Sequence, residues 1–192
     1  MGRDEVSATA QNPAMTLVFL DTEFTGLAQI RPRLISVGAV TEDGRHEFYA
    51  ELPRRHYEGK ADDWVRRHVL PLLEGGPRVM TPEVLRRQFL SWLRPLGRVR
   101  LVSDAPDYDV EVLRDFLTPW PTAIAPDVVR FGAEALGPAH RERLELYRDS
   151  FFTQDRPQHH ALYDAQALRH AWQRAKRLEV FADLAVEVGL FG

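Results

Sequence analysis

Asp21-Thr-Glu23 sets two carboxylates two residues apart, directly after the apolar run Thr16-Leu-Val-Phe-Leu20. Residues i and i+2 of a strand point to the same side. Two carboxylates leaving one face of a buried strand repel each other. A cation belongs between them, and hard divalent metals take such oxygen ligands. The chain carries 28 acidic residues, 14 Asp and 14 Glu. An Asp-x-Glu therefore arises by chance about once per chain. Asp109-Val-Glu111 is such a second copy. The position of the first, after Leu-Val-Phe-Leu, sets it apart from a charged turn.

His159-His-Ala-Leu-Tyr-Asp164 is the second constellation. It leads from a loop into an apolar-striped helix. Asp164 falls in the first turns, where a carboxylate can ligate a metal on the sheet side. His159 falls just before them, where an imidazole can reach a water. Its unperturbed pKa of about 6.5 suits a general base. His160 is the competing base, and the plain alternative is a surface histidine pair capping a helix. The third constellation is Ser103-Asp-Ala-Pro-Asp-Tyr-Asp-Val-Glu-Val-Leu113. It offers Asp104, Asp107 and Asp109 after a strand and before a helix, where an aspartate-rich N-cap is the alternative.

The elements that must position these groups are legible from patterning. Thr16–Leu20 predicts a buried central strand ending at Asp21. Leu34–Val40 and His46–Leu52, joined through the Asp43-Gly44 turn, predict an antiparallel hairpin. Asp62 or Asp63 caps a short helix through Leu70, ended by Pro71. Gly75-Gly-Pro77 reads as a loop. Thr81-Pro82 opens a helix carrying Leu85, Phe89, Trp92, Leu93 and Leu96, with Gly97 as its end. Val99–Ser103 is a fourth strand, and Asp109–Leu117 a short helix. Residues 119–127 read as irregular, with a short strand at Ala123-Ile124. Asp127 caps a helix through Leu136, and residues 137–158 read as a mobile loop. Ala161, Ala165, Leu168, Trp172 and Ala175 form one stripe on a long helix. This order predicts an α/β layered domain with a mixed sheet. Ligands of open α/β sheets bind at strand C-terminal ends, where Asp21 lies.

Composition bounds the chemistry. At 192 residues the chain suggests one domain, residues 15–192, behind a flexible tail at 1–14. No cysteine is present, which excludes thiolate metal sites, iron–sulfur clusters and cysteine nucleophiles. No apolar run approaches the ~18 residues a membrane span needs, and the N-terminus lacks a secretory signal's apolar segment. A cytoplasmic protein is the expectation. The formal charge of −3 argues against a basic nucleic-acid coat protein. All but Lys60 and Lys176 of its basic residues are arginine, whose planar fork suits phosphate. GC-rich codon usage is the bland account of that bias.

Taken together, the three constellations resemble the motifs of the DEDDh (DnaQ-like) 3′→5′ exonuclease superfamily. The first motif resembles Phe19-Leu-Asp-Thr-Glu-Phe-Thr-Gly-Leu27, the second Tyr108-Asp109…Leu113, and the third His159 to Asp164. The resemblance spans residues 17–176. Where the family often has Asn four residues before the second-motif Asp, this chain has Ala105, with Asp104 one residue earlier. Asp107 and Asp104 thus stand as alternatives to Asp109. Trp64-Val-Arg-Arg-His-Val-Leu-Pro71 also resembles a subgroup of small bacterial exoribonucleases, with an ordinary amphipathic helix as the alternative.

The resemblance implies an RNase H-like core with a five-stranded mixed sheet, order 3-2-1-4-5 and strand 2 antiparallel, flanked by helices. It implies a two-metal site for Mg²⁺ or Mn²⁺. Asp21, Glu23 and Asp164 would hold one ion, with Asp21 and Asp109 serving a second. His159 would accept the proton of the attacking water. Phe24 and Leu27 would pack on the terminal nucleotide, and the backbone at Thr25-Gly26 would approach its 3′-hydroxyl. The implied activity is removal of nucleoside 5′-monophosphates from single-stranded RNA 3′ ends. The alternatives are a DNA exonuclease of proofreading or repair type, a catalytically silent nucleic-acid-binding domain, and an RNase H-type endonuclease. Leu178-Glu-Val-Phe181 and Leu190-Phe191 would pack on the core or on a second copy, giving a homodimer.

Overall fold

A computed structural model describes residues 15–131 and 138–177. The chain order is β1 (Thr16–Phe24), β2 (Leu34–Thr41), β3 (Glu47–Glu51), α1 (Asp63–His68) and α2 (Pro82–Leu93). It continues with β4 (Val99–Ser103), α3 (Pro106–Phe116), β5 (Val129–Arg130), α4 (Pro138–Asp149) and α5 (Ala161–Ala175). The strands form one sheet in the order β3-β2-β1-β4-β5. β2 runs antiparallel to both β1 and β3, whereas β4 runs parallel to β1 and β5. This is the mixed 3-2-1-4-5 sheet of the RNase H-like fold.

The sheet is covered on both faces, and β1 shows why. Val18, Phe19 and Leu20 have no exposed surface. Val18 and Leu20 belong to the core formed with α2 and α3, around Leu85, Phe89 and Leu113. Phe19 points the other way and meets Trp172 of α5 edge-on at 5.8 Å, in a second core with Phe131 and Leu168. Burying such side chains contributes about 1.5–3 kcal/mol each, so a one-residue slip of β1 is strongly disfavoured. That same register puts Asp21 and Glu23 on Phe19's side, under α5. β1 runs past its expected end at Leu20, to Phe24. Its pairing with β4 stops at Phe19↔Val102, and beyond that point β2 is its one strand partner among the described residues.

Two caps fall where the sequence places them. Asp62 accepts from the Val65 N–H at the start of α1. Thr81 accepts from the Val84 N–H at the start of α2, with Pro82 at its first position. Residues 94–96 tighten into a 3₁₀ turn, and Gly97 follows at φ +70°. Gly76–Arg78 also forms a 3₁₀ turn inside the expected loop.

Three expectations are corrected. Residues 127–131 are not helical: Val129–Arg130 pairs with Val102–Ser103 as β5, and Asp127 bridges Arg100 at 2.8 Å instead of capping. The open edge of β4 and two successive valines favour the strand. Residues 132–136 of that expected helix lie outside the described residues. Ala123-Ile124 contributes a single bridge to Val99, not a strand of its own. Residues 138–149, expected as a mobile loop, form α4. Its sequence is rich in charge, with Leu144 its one buried apolar anchor among the described side chains, beside a partly buried Tyr147, so apolar periodicity gives little signal. The tail at 1–14 and the segments Leu178–Phe181 and Leu190-Phe191 also lie outside the described residues.

Candidate active site

Two overlapping carboxylate groups meet at Asp21. One consists of Asp21, Glu23 and Asp164, the other of Asp21, Asp104 and Asp109; within each, one oxygen per residue lies within 4.8 Å of the others. Four elements converge to make them. β1 supplies Asp21 and Glu23, the β4–α3 connection Asp104, the first turn of α3 Asp109, and the first turn of α5 Asp164.

α3 begins at Pro106, earlier than expected, so Asp107 and Asp109 lie within its first turn. They point to different places. Asp109 is buried: its Oδ1 accepts from the Thr22 N–H at 3.1 Å and the Thr22 hydroxyl at 2.8 Å, and its Oδ2 from the Ser103 hydroxyl at 2.6 Å. Asp107 is turned outward onto Arg130 at 2.5 Å. Asp104 joins the cluster and also holds Arg148 Nη1 at 2.5 Å. The three sequence alternatives are thereby separated: Asp109 and Asp104 are in the cluster and Asp107 is not.

α5 comes unusually close to the sheet. A Cβ on Gly38 would lie 2.2 Å from the Leu162 nitrogen and 2.2 Å from the Ala161 carbonyl carbon. Gly38 pairs with Asp21 across β1 and β2. The approach of α5 at this glycine therefore brings Asp164 to Asp21. Asp164 Oδ2 accepts from the His160 N–H at 2.9 Å.

The two histidines before α5 diverge. His159 has φ +68°, a left-handed conformation rare for non-glycine residues. Its ring lies at the cleft and meets Trp64 edge-on at 4.8 Å. His160 is buried between Tyr49 and Tyr163, both stacked at 4.3 Å, with Nε2 3.4 Å from Glu74 Oε1. Of the two, His159 faces the cleft.

Glu23, Phe24, Gly26, Leu27, Asp62 and Trp64 border an adjoining pocket of about 380 Å³. Leu27 is 65% exposed, Trp64 46% and Tyr108 44%. Tyr108 stacks on Phe24 at 6.1 Å, and Trp64 on His68 at 4.8 Å. Thr25 is fully buried and works inward: its hydroxyl donates to Gln29 Oε1 at 2.6 Å and accepts from the Arg33 N–H at 2.9 Å. Gly26, at φ +141°, packs so tightly on Asp62 that a Cβ would meet Oδ2 at 2.2 Å. Thr25 and Gly26 fix the loop, leaving Phe24 and Leu27 to face the pocket. In sequence, Trp64 and His68 stand out only as part of the motif at 64–71. Their i,i+4 spacing was the available signal for a shared face.

The electrostatics follow from crowding. Asp21 and Glu23 titrate well above ordinary carboxylates, first through burial, then through repulsion from their acidic neighbours. Burial lifts Asp109 to about 7, with Asp104 adding to it and the Ser103 and Thr22 hydrogen bonds opposing. Burial also lifts Asp164 to about 7, opposed by Arg148 and by the backbone N–H groups of His160 and His159. Burial and the nearby His68 and Arg148 lower His159. A cluster that resists ionising alone, built only from oxygen donors, fits hard divalent cations such as Mg²⁺ or Mn²⁺. Zinc thiolate chemistry has no donor here, because the chain has no cysteine.

No family model and no curated protein matches the sequence. Solved structures do match the fold. The nuclease domain of 3′hExo, a DEDDh family member bound to rAMP, superposes with a TM-score of 0.60 at 14% identity, over 88% of this chain and 94% of that one. A full-length 3′-exonuclease, and a 3′-exonuclease in 3′-end-specific recognition of a histone mRNA stem-loop, each superpose at 0.57 and 13% identity, over 84% of this chain and 81% of theirs. The likeness is one of fold, and this chain has the RNase H-like fold of those 3′-exonuclease domains.

Proposed function

We propose that residues 15–192 are one metal-dependent 3′→5′ exonuclease domain of the DEDDh type, acting on single-stranded RNA 3′ ends. The observation that carries this is the pair of carboxylate triads sharing Asp21, with His159 beside them at the mouth of the cleft. The neighbours bound to rAMP and to a stem-loop favour RNA over DNA as the substrate class.

Asp21, Glu23 and Asp164 would hold one Mg²⁺ or Mn²⁺, and Asp21 with Asp109 and Asp104 a second. Such a pair supplies positive charge against both the carboxylates and the charge that develops on the phosphoryl oxygens during in-line displacement. The chain's own residues do the rest. His159, neutral near pH 7 because its pKa lies below the ordinary value, accepts the proton of the attacking water. Phe24, Leu27 and Trp64 pack the terminal nucleotide, and the backbone at Thr25-Gly26, held inward, lies along its sugar. The bond broken is the P–O3′ bond of the penultimate nucleotide. The products are a nucleoside 5′-monophosphate and a chain one nucleotide shorter.

The test is a time course on 5′-labelled single-stranded RNA and DNA of one sequence, with Mn²⁺. A descending ladder, faster on RNA, is expected. A faster DNA ladder would make this a DNA exonuclease, mid-chain cuts an endonuclease, and no cleavage with retained binding a silent binding domain.

A further inference from the structure

Arg148 is the one arginine or lysine among the described residues that line the carboxylate cleft. It sits in the last turn of α4, yet its side chain leaves the helix and ends on Asp104, with Nη1 2.5 Å from Oδ2. A guanidinium carries five N–H donors in a planar fork. Among the described residues, this contact with Asp104 is the only hydrogen bond its guanidinium makes. The fork is held end-on by one carboxylate, with its other donors free. Both side chains are about 30% exposed, at 30% and 29%, so the pair is partly screened and can open. Asp104 has a second use, because it belongs to the triad with Asp21 and Asp109. One carboxylate is thus shared between a guanidinium and a candidate metal position. Arg148 also lowers the pKa of Asp164 and of His159, so its charge is felt on both sides of the cleft.

We propose that Arg148 is the phosphate-binding residue of this cleft, held by Asp104 until a divalent cation takes over that carboxylate. With Asp104 engaged by the cation, the fork turns to the non-bridging oxygens of the substrate phosphodiester, which it can hold with two N–H bonds. The acidic cluster alone repels that phosphate, and Arg148 is the fixed positive charge available to offset it. The exchange couples two events. A cation on Asp104 favours phosphate on Arg148, and phosphate on Arg148 must tighten the cation by the same factor. This inference rests on the nuclease reading above.

The experiment measures Mn²⁺ uptake by electron paramagnetic resonance and binding of a fluorescent ten-nucleotide RNA by anisotropy. All variants are made in a His159→Ala background that slows turnover. Arg148→Ala should tighten Mn²⁺ roughly threefold or more, since a competing cation is gone, and weaken RNA in Mn²⁺ about tenfold or more. Asp104→Asn should do the reverse: weaker Mn²⁺, and RNA bound in chelator about threefold tighter than wild type, because Arg148 is released. Arg148→Lys keeps the charge but not the fork, so RNA weakens while Mn²⁺ affinity stays near wild type. A purely structural pair predicts the same direction for both Ala and Asn variants. Arg148→Ala that loosens Mn²⁺, or leaves RNA affinity within twofold, overturns the proposal. A parent protein that takes up no Mn²⁺ would instead overturn the nuclease reading. Uptake and RNA cleavage by the unmutated chain, with Arg148 variants unchanged, would overturn this inference alone.

Discussion

Gly38 lies opposite Asp21 in the β1–β2 ladder and beneath the first turn of α5, so close that a Cβ would come within 2.2 Å of the Leu162 nitrogen. The contact is with backbone, so no rotamer change can relieve it. Gly38→Ala should therefore push the start of α5 off the sheet. Overpacking of this kind costs about 1–3 kcal/mol. The variant should lose thermal stability and, disproportionately, Mn²⁺ affinity, since Asp164 moves away from Asp21. Calorimetry with and without Mn²⁺ separates the two losses. Wild-type Mn²⁺ affinity in Gly38→Ala would show that Asp164 is not placed by this contact.

Asp21→Asn and Asp164→Asn should each lower turnover by orders of magnitude while the fold survives, as far-ultraviolet circular dichroism would show. Mn²⁺ should raise the melting temperature of the wild type, because a ligand that binds only the native state stabilises it by mass action. The rise should shrink in both variants. Near-normal turnover in both would remove the carboxylates from the mechanism.

Much of the geometry of this candidate site is legible in the sequence, because its parts obey local rules. The continuous apolar run Leu17–Leu20 marks β1 as a buried strand, and the i,i+2 spacing then puts Asp21 and Glu23 on one face. Other features are not legible in the sequence. Arg148 sits on α4, whose charged sequence hides its helical period, and its meeting with Asp104 spans 44 residues of chain. Gly38 reads as a weak spot in a strand. Only the approach of α5 shows why a side chain is excluded there, although an isolated glycine in a strand does signal close backbone contact. The divergence of His159 from His160 depends on one left-handed residue. The start of the expected helix, residues 127–131, failed because an unpaired sheet edge outweighed a capping signal.

Asp164 and Asp109 both titrate near 7 in the folded chain, above their ordinary value. Such a group contributes stability at low pH that is lost as pH rises through its folded value, since the unfolded chain sheds the proton first. In chelator, the protein should therefore lose stability between about pH 4 and pH 7 from these groups. Asp164→Asn carries no charge there. It should melt closer to, or above, the wild type at pH 8 than at pH 5. A difference that does not change with pH would mean that Asp164 is not crowded by the other carboxylates.

His159 should set the acid limb of activity. Burial, His68 and Arg148 all lower its pKa, so the limb of kcat/KM should fall below the ordinary histidine value of about 6.5. His68→Gln removes one of those charges and should move the limb upward. At saturating Mn²⁺, where Asp109 and Asp164 are held ionised, His159→Ala should lose the limb. An unchanged profile in His159→Ala would reject it as the base.

Trp64 borders the pocket proposed for the terminal nucleotide and meets His159, the proposed base, edge-on at 4.8 Å. Stacking of one base on an aromatic ring is worth about 1–3 kcal/mol by truncation. Trp64→Ala should raise KM for RNA by roughly five- to a hundredfold, from that range. It should also lower kcat, because His159 loses the ring that fixes its orientation at a left-handed backbone position. Trp64→Phe keeps a stacking face and should recover most of KM. The two effects separate in steady-state kinetics on a dinucleotide and on a ten-nucleotide RNA. A base-stacking role predicts a KM loss on both lengths, whereas a loss confined to kcat would assign Trp64 to positioning His159 and not to the substrate.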